Sequence, residues 1–235
     1  MLTSVLSFTP EEAATATDYC LAYSDGVSAN MKDLWNWTRN EFDDADKMSS
    51  PLQGATNKFL AELLKPKRIL EIGSYSGFSA LAWYEATVDT QAEIISTEIE
   101  PRMIAATKRT IDKYGLKDRV TLLEGPAQES IKTCKGTFDI IFVDADKEGY
   151  EGYVKTVLDQ KLLARDGVII CDNVFSRGLA ITENAGAHLN QELVPYWIEC
   201  GKKMQKLSAF CKNDQRVDNL VLPLYDGMSL IKWKH

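Results

Sequence analysis

Oxygen-bearing side chains follow two short apolar runs in the second half of the chain. Asp144 comes directly after residues 138–143, and Asp172 and Asn173 come directly after residues 167–171. Carboxylate and amide oxygens are the hard donors that Mg²⁺ and similar divalent ions prefer. Asp and Asn also commonly cap the segments that follow strands, which is the structural alternative. We favour a metal site on Asp144, Asp172 and Asn173, with coordination positions left for water and substrate.

A lysine lies close to this oxygen cluster, because Lys147 follows Asp144 by three residues. This lysine favours the metal interpretation of the cluster, because three oxygen donors then converge beside it. The alternative for Lys147 is a solvated side chain at the start of a helix.

An earlier apolar run ends in the segment E-x-G-x-x-x-G, from Glu71 to Gly77. Glycines let the backbone approach a ligand, and the start of the next helix offers N–H donors to a carboxylate. A dinucleotide-binding fold would carry G-x-G-x-x-G here, against a pyrophosphate. The acid at Glu71 instead suits a ligand with ammonium and sulfonium charges. A tight turn between a strand and a helix is the structural alternative.

Two further positions fit the same ligand. Glu98 ends the next apolar run, where an acid can accept hydrogen bonds from both hydroxyls of a ribose. The turn Gly125-Pro126-Ala127 follows a third run, and its small side chains leave room for an adenine. Glu98 precedes Pro101, so a charge at the start of a helix is the alternative reading.

These residues need elements that bring their strand ends together. From Arg68 onward, short apolar runs alternate with amphipathic segments of helical length, which predicts βαβ units on a parallel sheet. Tyr225-Asp226-Gly227 predicts a hairpin, so the last two strands should be antiparallel at the sheet edge. The predicted strands are residues 68–72, 93–98, 120–124, 138–143, 167–171, 219–223 and 229–234. The predicted helices are residues 52–64, 79–86, 102–114, 127–133, 150–158 and 191–210.

The segment before the first strand has helical patterns. Thr9-Pro10-Glu11-Glu12 combines a hydroxyl cap, a proline at the first helical position and a glutamate three residues after the cap. A helix should therefore begin there, and the helical pattern continues towards Lys47. We expect a single domain over residues 1–235, in which a helical cap at residues 1–65 covers a donor- and metal-binding core at residues 66–235.

Composition limits the classes of function. The chain has 27 basic and 34 acidic residues and a net charge of −7, which leaves no basic stripe for nucleic acid. Only two histidines are present, so a metal must bind oxygen ligands, and five cysteines without a C-x-x-C pair favour reduced thiols. No apolar run approaches the roughly 20 residues that cross a bilayer. With no targeting signal evident, we expect a cytoplasmic protein with a small-molecule substrate.

Several segments resemble the cation-dependent class I O-methyltransferases, the family of caffeoyl-coenzyme A and catechol O-methyltransferases. They are E-I-G-S-Y-S-G-F-S, E-G-P-A, F-D-I-I-F-V-D-A-D-K, C-D-N and D-G-M-S-L. The resemblance implies a doubly wound, Rossmann-like α/β fold with a seven-stranded, mostly parallel sheet, usually in a homodimer. It implies S-adenosylmethionine (SAM) as the methyl donor. The residues expected around SAM are Glu71, Gly73, Ser74, Ser79, Glu98, Ala127 and Asp144.

The same resemblance places Mg²⁺, Mn²⁺ or Ca²⁺ on Asp144, Asp172 and Asn173, with Lys147 near the reacting hydroxyl. The expected reaction is methyl transfer to one hydroxyl of a vicinal aromatic diol, such as a catechol, a flavonoid or a caffeic-type phenolic. A phenol has a pKa of about 10 and is a weak nucleophile at neutral pH, whereas a bound divalent cation lowers the pKa of a hydroxyl and allows a nearby lysine to take the proton. We therefore predict Lys147 and Asp144 as catalytic residues.

The chain departs from plant members of this family in the predicted acceptor pocket. Phe175 stands where they often carry tryptophan, and Arg177 where they often carry asparagine, so the acceptor should differ. Two other classes stay open: a nicotinamide-dependent oxidoreductase, and a catalytically silent protein that binds the donor or a partner. The altered glycine loop argues against the first. The joint presence of Asp144, Asp172 and Lys147 argues against the second.

Overall fold

Helices alternate with the strands of one open sheet in the computed structural model, which describes residues 8–234. The strands are β1 Arg68–Ile72, β2 Glu93–Glu98, β3 Val120–Glu124, β4 Phe138–Val143, β5 Leu163–Asp172, β6 Val217–Leu222 and β7 Met228–Trp233. The helices are α1 Pro10–Ala22, α2 Ala29–Glu41, α3 Pro51–Leu64, α4 Phe78–Ala86, α5 Pro101–Lys113, α6 Ala127–Thr133, α7 Tyr150–Asp159 and α8 Val194–Asn213. Short 3₁₀ helices lie at Ala45–Lys47 and Glu183–His188.

The strand order across the sheet is β3-β2-β1-β4-β5-β7-β6. Strands β1 to β5 are parallel, and β7 is antiparallel to both of its neighbours, β5 and β6. This topology confirms the predicted doubly wound, mostly parallel seven-stranded sheet with an antiparallel last pair. The order reverses between β1 and β4, and ligands bind beside such a reversal in open α/β sheets.

Both faces of the sheet are covered, which explains the nearly continuous apolar sequence of its central strands. In β4, Phe138, Ile141 and Val143 belong to the core cluster that includes Tyr150 and Val154 of α7. Ile140 and Phe142 of β4 belong to a second core cluster, which includes residues of α2 and α4. Strand β5 begins earlier than predicted, because Leu163 pairs with Phe138 across a register shift.

Serine and threonine caps begin the helices that precede the sheet. The capping box predicted at Thr9 is present, since Glu12 N donates to Thr9 Oγ1 at 3.2 Å and Thr9 N donates to Glu12 Oε2 at 2.8 Å. The helical pattern expected towards Lys47 is divided by residues 23–28. Gly26 adopts a φ of 106° there, and Ser28 caps α2. None of the helices within residues 8–234 is long and apolar enough to cross a membrane.

Asp44 joins this helical region to the sheet region. Its carboxylate accepts hydrogen bonds from Tyr75 Oη at 3.0 Å and from Arg102 Nη2 at 3.0 Å, and it pairs with Lys47 Nζ at 2.9 Å. These partners, led by the Lys47 hydrogen bond, lower the pKa of Asp44 to about 2. Tyr75 lies in the loop after β1, so Asp44 connects the cap to the predicted donor site.

Removing the carboxylate tests this connection. We expect Asp44→Asn to lower the free energy of unfolding at pH 7 by about 1 kcal/mol, a value reduced for partial solvent exposure. Because the pKa of folded Asp44 lies below the usual 3.8, its stabilisation is fully present above about pH 4 and is lost as pH falls through about 2. Urea unfolding from pH 7 to pH 2 measures this loss, with the exposed neighbour Asp43→Asn as control. A difference from the parent protein that stays constant with pH would contradict the argument.

Candidate active site

The backbones at the ends of β1 and β4 meet at the reversal of strand order. Asp144 N donates to Ile72 O at 2.9 Å. Gly73 has a φ of 94°, and a Cβ added there would lie 2.2 Å from the carbonyl oxygen of Asp144. A side chain at position 73 would therefore force the two strand ends apart, which explains the glycine.

Glu98 organises the loop after β1. Its carboxylate accepts from Tyr75 N at 2.9 Å and from the backbone N–H groups of the two residues that follow it, at 2.8 and 2.9 Å. Gly125 N donates to the carbonyl of Glu98 at 2.8 Å, which brings the turn before Ala127 and α6 to the same edge. These contacts bring Glu98, the loop that contains Gly73 and the turn before Ala127 to one edge of the sheet, where a ribose and an adenine are expected from the sequence.

Glu71 is fully buried in the protein interior. Its carboxylate accepts from Trp83 Nε1 at 3.1 Å and also from the hydroxyls of Ser96 and Ser79. Burial raises the pKa of Glu71 to about 7 despite these donors. The buried Ser74 hydroxyl bonds a threonine of α5 at 2.8 Å. Glu71, Ser74 and Ser79 therefore hold the loop through internal hydrogen bonds.

Lys147 lies at the centre of the oxygen-rich cluster and is only 9% exposed. Its Nζ donates to Asn173 Oδ1 at 3.2 Å, to Tyr150 Oη at 2.6 Å and to Ala145 O at 3.3 Å. The distance from Nζ to Asp144 Oδ1 is 3.7 Å. The amine thus lies among the predicted metal ligands rather than in solvent.

Asp172 carries the second carboxylate of this cluster and is 1% exposed. Its Oδ1 accepts from Asn173 N at 2.7 Å, and its Oδ2 accepts from Gln53 Nε2. Burial, followed by the negative charge of Asp144, raises the pKa of Asp172 to about 7. Asn173 has a φ of 53°, which lies in the left-handed region.

A divalent cation fits the chemistry of this donor set. The negative charge of the half-buried Asp144 disfavours ionisation of the buried Asp172, and an added positive charge would relieve that repulsion. In residues 8–234, no three His, Cys, Asp or Glu side chains form a metal cluster. The predicted ligand set contains two carboxylates and the amide of Asn173, so it is not a cluster of that kind.

The loop after Asn173 reaches back to the helical cap. Arg177 Nη2 pairs with Asp46 Oδ2 at 2.8 Å, and its guanidinium lies 5.1 Å from the centre of the Trp197 ring. Arg177 N also donates to Asp226 in the β6–β7 hairpin, at 2.8 Å. Beside this contact is an open cavity of about 660 Å³. It is lined by Trp35, Arg39, Phe42, Asp43, Ala45, Asp46 and Met48.

Comparison with known proteins fits this geometry. The model of the O-methyltransferase family matches residues 22–234. This chain belongs to the O-methyltransferase family. Its relatives include O-methyltransferase ankF of Aspergillus thermomutatus, 35% identical over 236 residues and covering 100% of this chain and 99% of the relative. Caffeoyl-CoA O-methyltransferase 2 of Eucalyptus globulus is 32% identical over 186 residues, covering 77% and 72% of the two chains.

A solved structure is more similar still. The SAH-bound methyltransferase PaMTH1 of Podospora anserina is 53% identical, covers 100% of both chains and has a TM-score of 0.97. Membership of the O-methyltransferase family decides against a nicotinamide-dependent oxidoreductase. It also confirms the family resemblance seen in the sequence.

Two polar residues in this O-methyltransferase were missed by sequence reasoning. Tyr150 is fully buried, accepts from Lys147 and donates its hydroxyl to Asp172 O at 3.0 Å. Tyr150 follows Lys147 by three residues at the start of α7, and this spacing could have indicated a contact between the two side chains. Gln53 reaches Asp172 from the cap, and nothing in its local sequence indicated that contact.

Proposed function

We propose that this O-methyltransferase uses SAM and a divalent cation to methylate one hydroxyl of a vicinal aromatic diol. The observation that carries the proposal is the convergence at two neighbouring strand ends. Lys147 Nζ lies 3.2 Å from Asn173 Oδ1 and 3.7 Å from Asp144 Oδ1, and Asn173 N donates to Asp172. An amine in this position is suited to remove a proton from an acceptor hydroxyl that is bound beside a cation.

The donor part of the proposal is supported by the loop after β1. Gly73 allows close approach to the backbone, and the carboxylate of Glu98 lies at the end of β2, beside that loop. PaMTH1, which is 53% identical over the full chain, is described with SAH bound. SAH is SAM without its transferable methyl group. The bound SAH of this relative supports a donor site at the loop after β1 in this chain.

In the proposed reaction the acceptor O–H bond breaks and an O–CH₃ bond forms as the methyl leaves the sulfonium of SAM. A divalent cation held by Asp144, Asp172 and Asn173 would lower the pKa of the acceptor hydroxyl. Lys147 Nζ, starting as the neutral amine, takes the proton and becomes the ammonium, and Tyr150 Oη and Ala145 O hold it in position. The low exposure of Lys147 and Asp172 keeps water from the reacting groups.

A substitution at Glu98 tests the donor site. We expect Glu98→Ala to weaken SAM binding by about 1.5–3 kcal/mol, because a charge-assisted hydrogen bond to the ribose is lost. Glu93→Ala is a matched control, since Glu93 begins the same strand and pairs with Arg68 at 2.6 Å on the surface. Calorimetric titration with SAM compares the two proteins. An unchanged dissociation constant for Glu98→Ala would show that the donor lies elsewhere.

For the acceptor, we propose a free catechol-type compound, such as a flavonoid or hydroxycinnamate, over a coenzyme A thioester. A coenzyme A tail carries several phosphate charges and requires unpaired Lys or Arg near the pocket. Arg177 is already paired with Asp46. Among the residues that line the cavity Arg39 is basic and stacks on the Trp35 ring, whereas Asp43 and Asp46 are acidic, so the lining as a whole disfavours several phosphate charges. The aromatic rings of Trp35 and Phe42 instead offer apolar surface to a flat acceptor.

The experiment is a comparison of acceptors at saturating labelled SAM. We expect kcat/KM for caffeic acid and a flavonoid catechol to exceed that for caffeoyl-coenzyme A by at least about tenfold. Product analysis identifies which hydroxyl is methylated. A preference for the thioester would overturn the charge argument and leave the methyl-transfer chemistry intact.

A further inference from the structure

A glutamine of the helical cap contacts a proposed cation ligand directly. Gln53 lies in the first turn of α3 and is only 4% exposed. Its Nε2 donates to Asp172 Oδ2, although the two residues are 119 positions apart in the chain. Because Asp172 Oδ1 already accepts from Asn173 N at 2.7 Å, each oxygen of the carboxylate has one fixed donor.

The local sequence fixes the position of this glutamine. Ser50 caps α3, Pro51 occupies its first turn, and Gln53 N donates to Ser50 Oγ at 3.2 Å. The next residue, Gly54, packs so closely that an added Cβ would lie 2.7 Å from a ring atom of Phe78 in α4. The cap and this close packing on α4 therefore define where the first turn of α3 lies, and with it the Gln53 side chain.

We propose that Gln53 is a positioning residue that orients the Asp172 carboxylate for a divalent cation and so couples the helical cap to the cation site. This proposal rests on the proposed function, because it assumes that Asp172 binds a cation. A neutral amide donor fixes the carboxylate without adding a competing charge. Partners of this kind fix the geometry of metal ligands, and their loss typically costs 10–100-fold in metal affinity.

The coupling works in both directions by thermodynamic linkage. If Gln53 in α3 favours the cation-binding orientation of Asp172, a bound cation must stabilise the start of α3. The residues that follow the 3₁₀ helix, including the half-buried Ser50, should therefore exchange their amide hydrogens more slowly when the cation is present. A residue that served only to pack the helix would not show this response.

The test measures Mn²⁺ binding directly, without turnover. Calorimetry or the electron paramagnetic resonance of free Mn²⁺ gives the affinity of the full-length protein. We expect Gln53→Met, which keeps the volume and removes the donor, to bind Mn²⁺ about 10-fold more weakly than the parent protein. Gln53→Asn, which withdraws the amide by one methylene, should weaken binding in the same direction and serves if the methionine variant does not fold.

Two controls separate positioning from helix stability. Ser50→Ala weakens the start of α3 but keeps the Gln53 side chain and the packing of Gly54 on Phe78, so Mn²⁺ affinity should fall by about twofold or less, well below the loss in Gln53→Met. Gln205→Met removes an amide donor to Ala180 O on the surface of α8 and should change nothing. Hydrogen exchange of residues 48–56 with and without Mn²⁺ is measured on all variants. The protection by Mn²⁺ should shrink only in the Gln53 variants.

Each outcome is decisive. If Gln53→Met and Gln53→Asn bind Mn²⁺ as tightly as the parent protein, Gln53 does not position Asp172 for the cation. If Ser50→Ala weakens binding as much as Gln53→Met, the effect belongs to helix stability and the proposal is wrong. If the parent protein itself binds no Mn²⁺, the cation assignment under the proposed function fails instead.

Discussion

Asp172→Ala is expected to remove cation-dependent turnover while SAM binding survives. Loss of a residue that only supports a metal ligand costs 10–100-fold in affinity, so loss of the ligand itself should reduce kcat/KM by at least about 100-fold. SAM binding should be unchanged, because the donor site is proposed at the ends of β1 and β2, whereas Asp172 ends β5. Turnover and calorimetric SAM titration on the same preparation measure both effects.

Two opposing effects act on the fold in this variant. Removal relieves the cost of burying the Asp172 carboxylate, and it leaves Gln53 Nε2 and Asn173 N without their acceptor, so thermal unfolding is measured beside turnover. Asp218→Ala is a matched control on the edge strand β6, where Asp218 forms an exposed ion pair with Lys232 at 3.3 Å. An equal loss of SAM binding and turnover in Asp172→Ala would mean that Asp172 is chiefly structural.

Lys147→Met should damage the chemical step and leave SAM binding unchanged. Methionine occupies a similar volume and suits the buried site, where Lys147 is 9% exposed. It cannot accept a proton, and loss of a positioned general base typically costs 10²–10⁴-fold in rate. Single-turnover measurement of methyl transfer at saturating SAM and acceptor gives the rate of that step.

A surface lysine supplies the control for this prediction. Lys203→Met removes an exposed lysine of α8 that pairs with Glu148 at 2.9 Å, and its rate should match that of the parent protein. If Lys147→Met keeps the parent rate across neutral pH, the hydroxyl loses its proton without the amine. The cation alone would then account for ionisation of the acceptor.

Most of the sheet could be predicted because apolar runs and helical segments alternate regularly after Arg68. Strands β1 to β4 have the bounds expected from their sequences, since each run ends at a polar residue or glycine. The family resemblance implied the doubly wound seven-stranded sheet, and the order of its strands comes from the structure. Asp144, Asp172 and Asn173 could be grouped because the carboxyl ends of neighbouring parallel strands share one sheet edge.

Long-range contacts could not be read from local patterns. Gln53 looks like any polar residue of an amphipathic helix, and its hydrogen bond to Asp172 depends on how α3 packs against the sheet. The hydrogen bonds from Trp83 and Ser96 to Glu71 could not be predicted either. The sequence around an acid at a strand end does not show whether its carboxylate faces a ligand or the protein interior. The ion pair between Arg177 and Asp46 likewise depends on the tertiary fold.

The most direct test of the account is methyl transfer with and without a divalent cation. The protein is dialysed against EDTA, and transfer of a labelled methyl group from SAM is measured on a catechol and on the matched monophenol. We predict that transfer to the catechol falls to background, returns with Mg²⁺ or Mn²⁺, and stays low for the monophenol, which offers one oxygen instead of two. Full transfer in metal-free buffer, or equal transfer to the monophenol, would contradict a cation held by Asp144, Asp172 and Asn173 beside a vicinal diol.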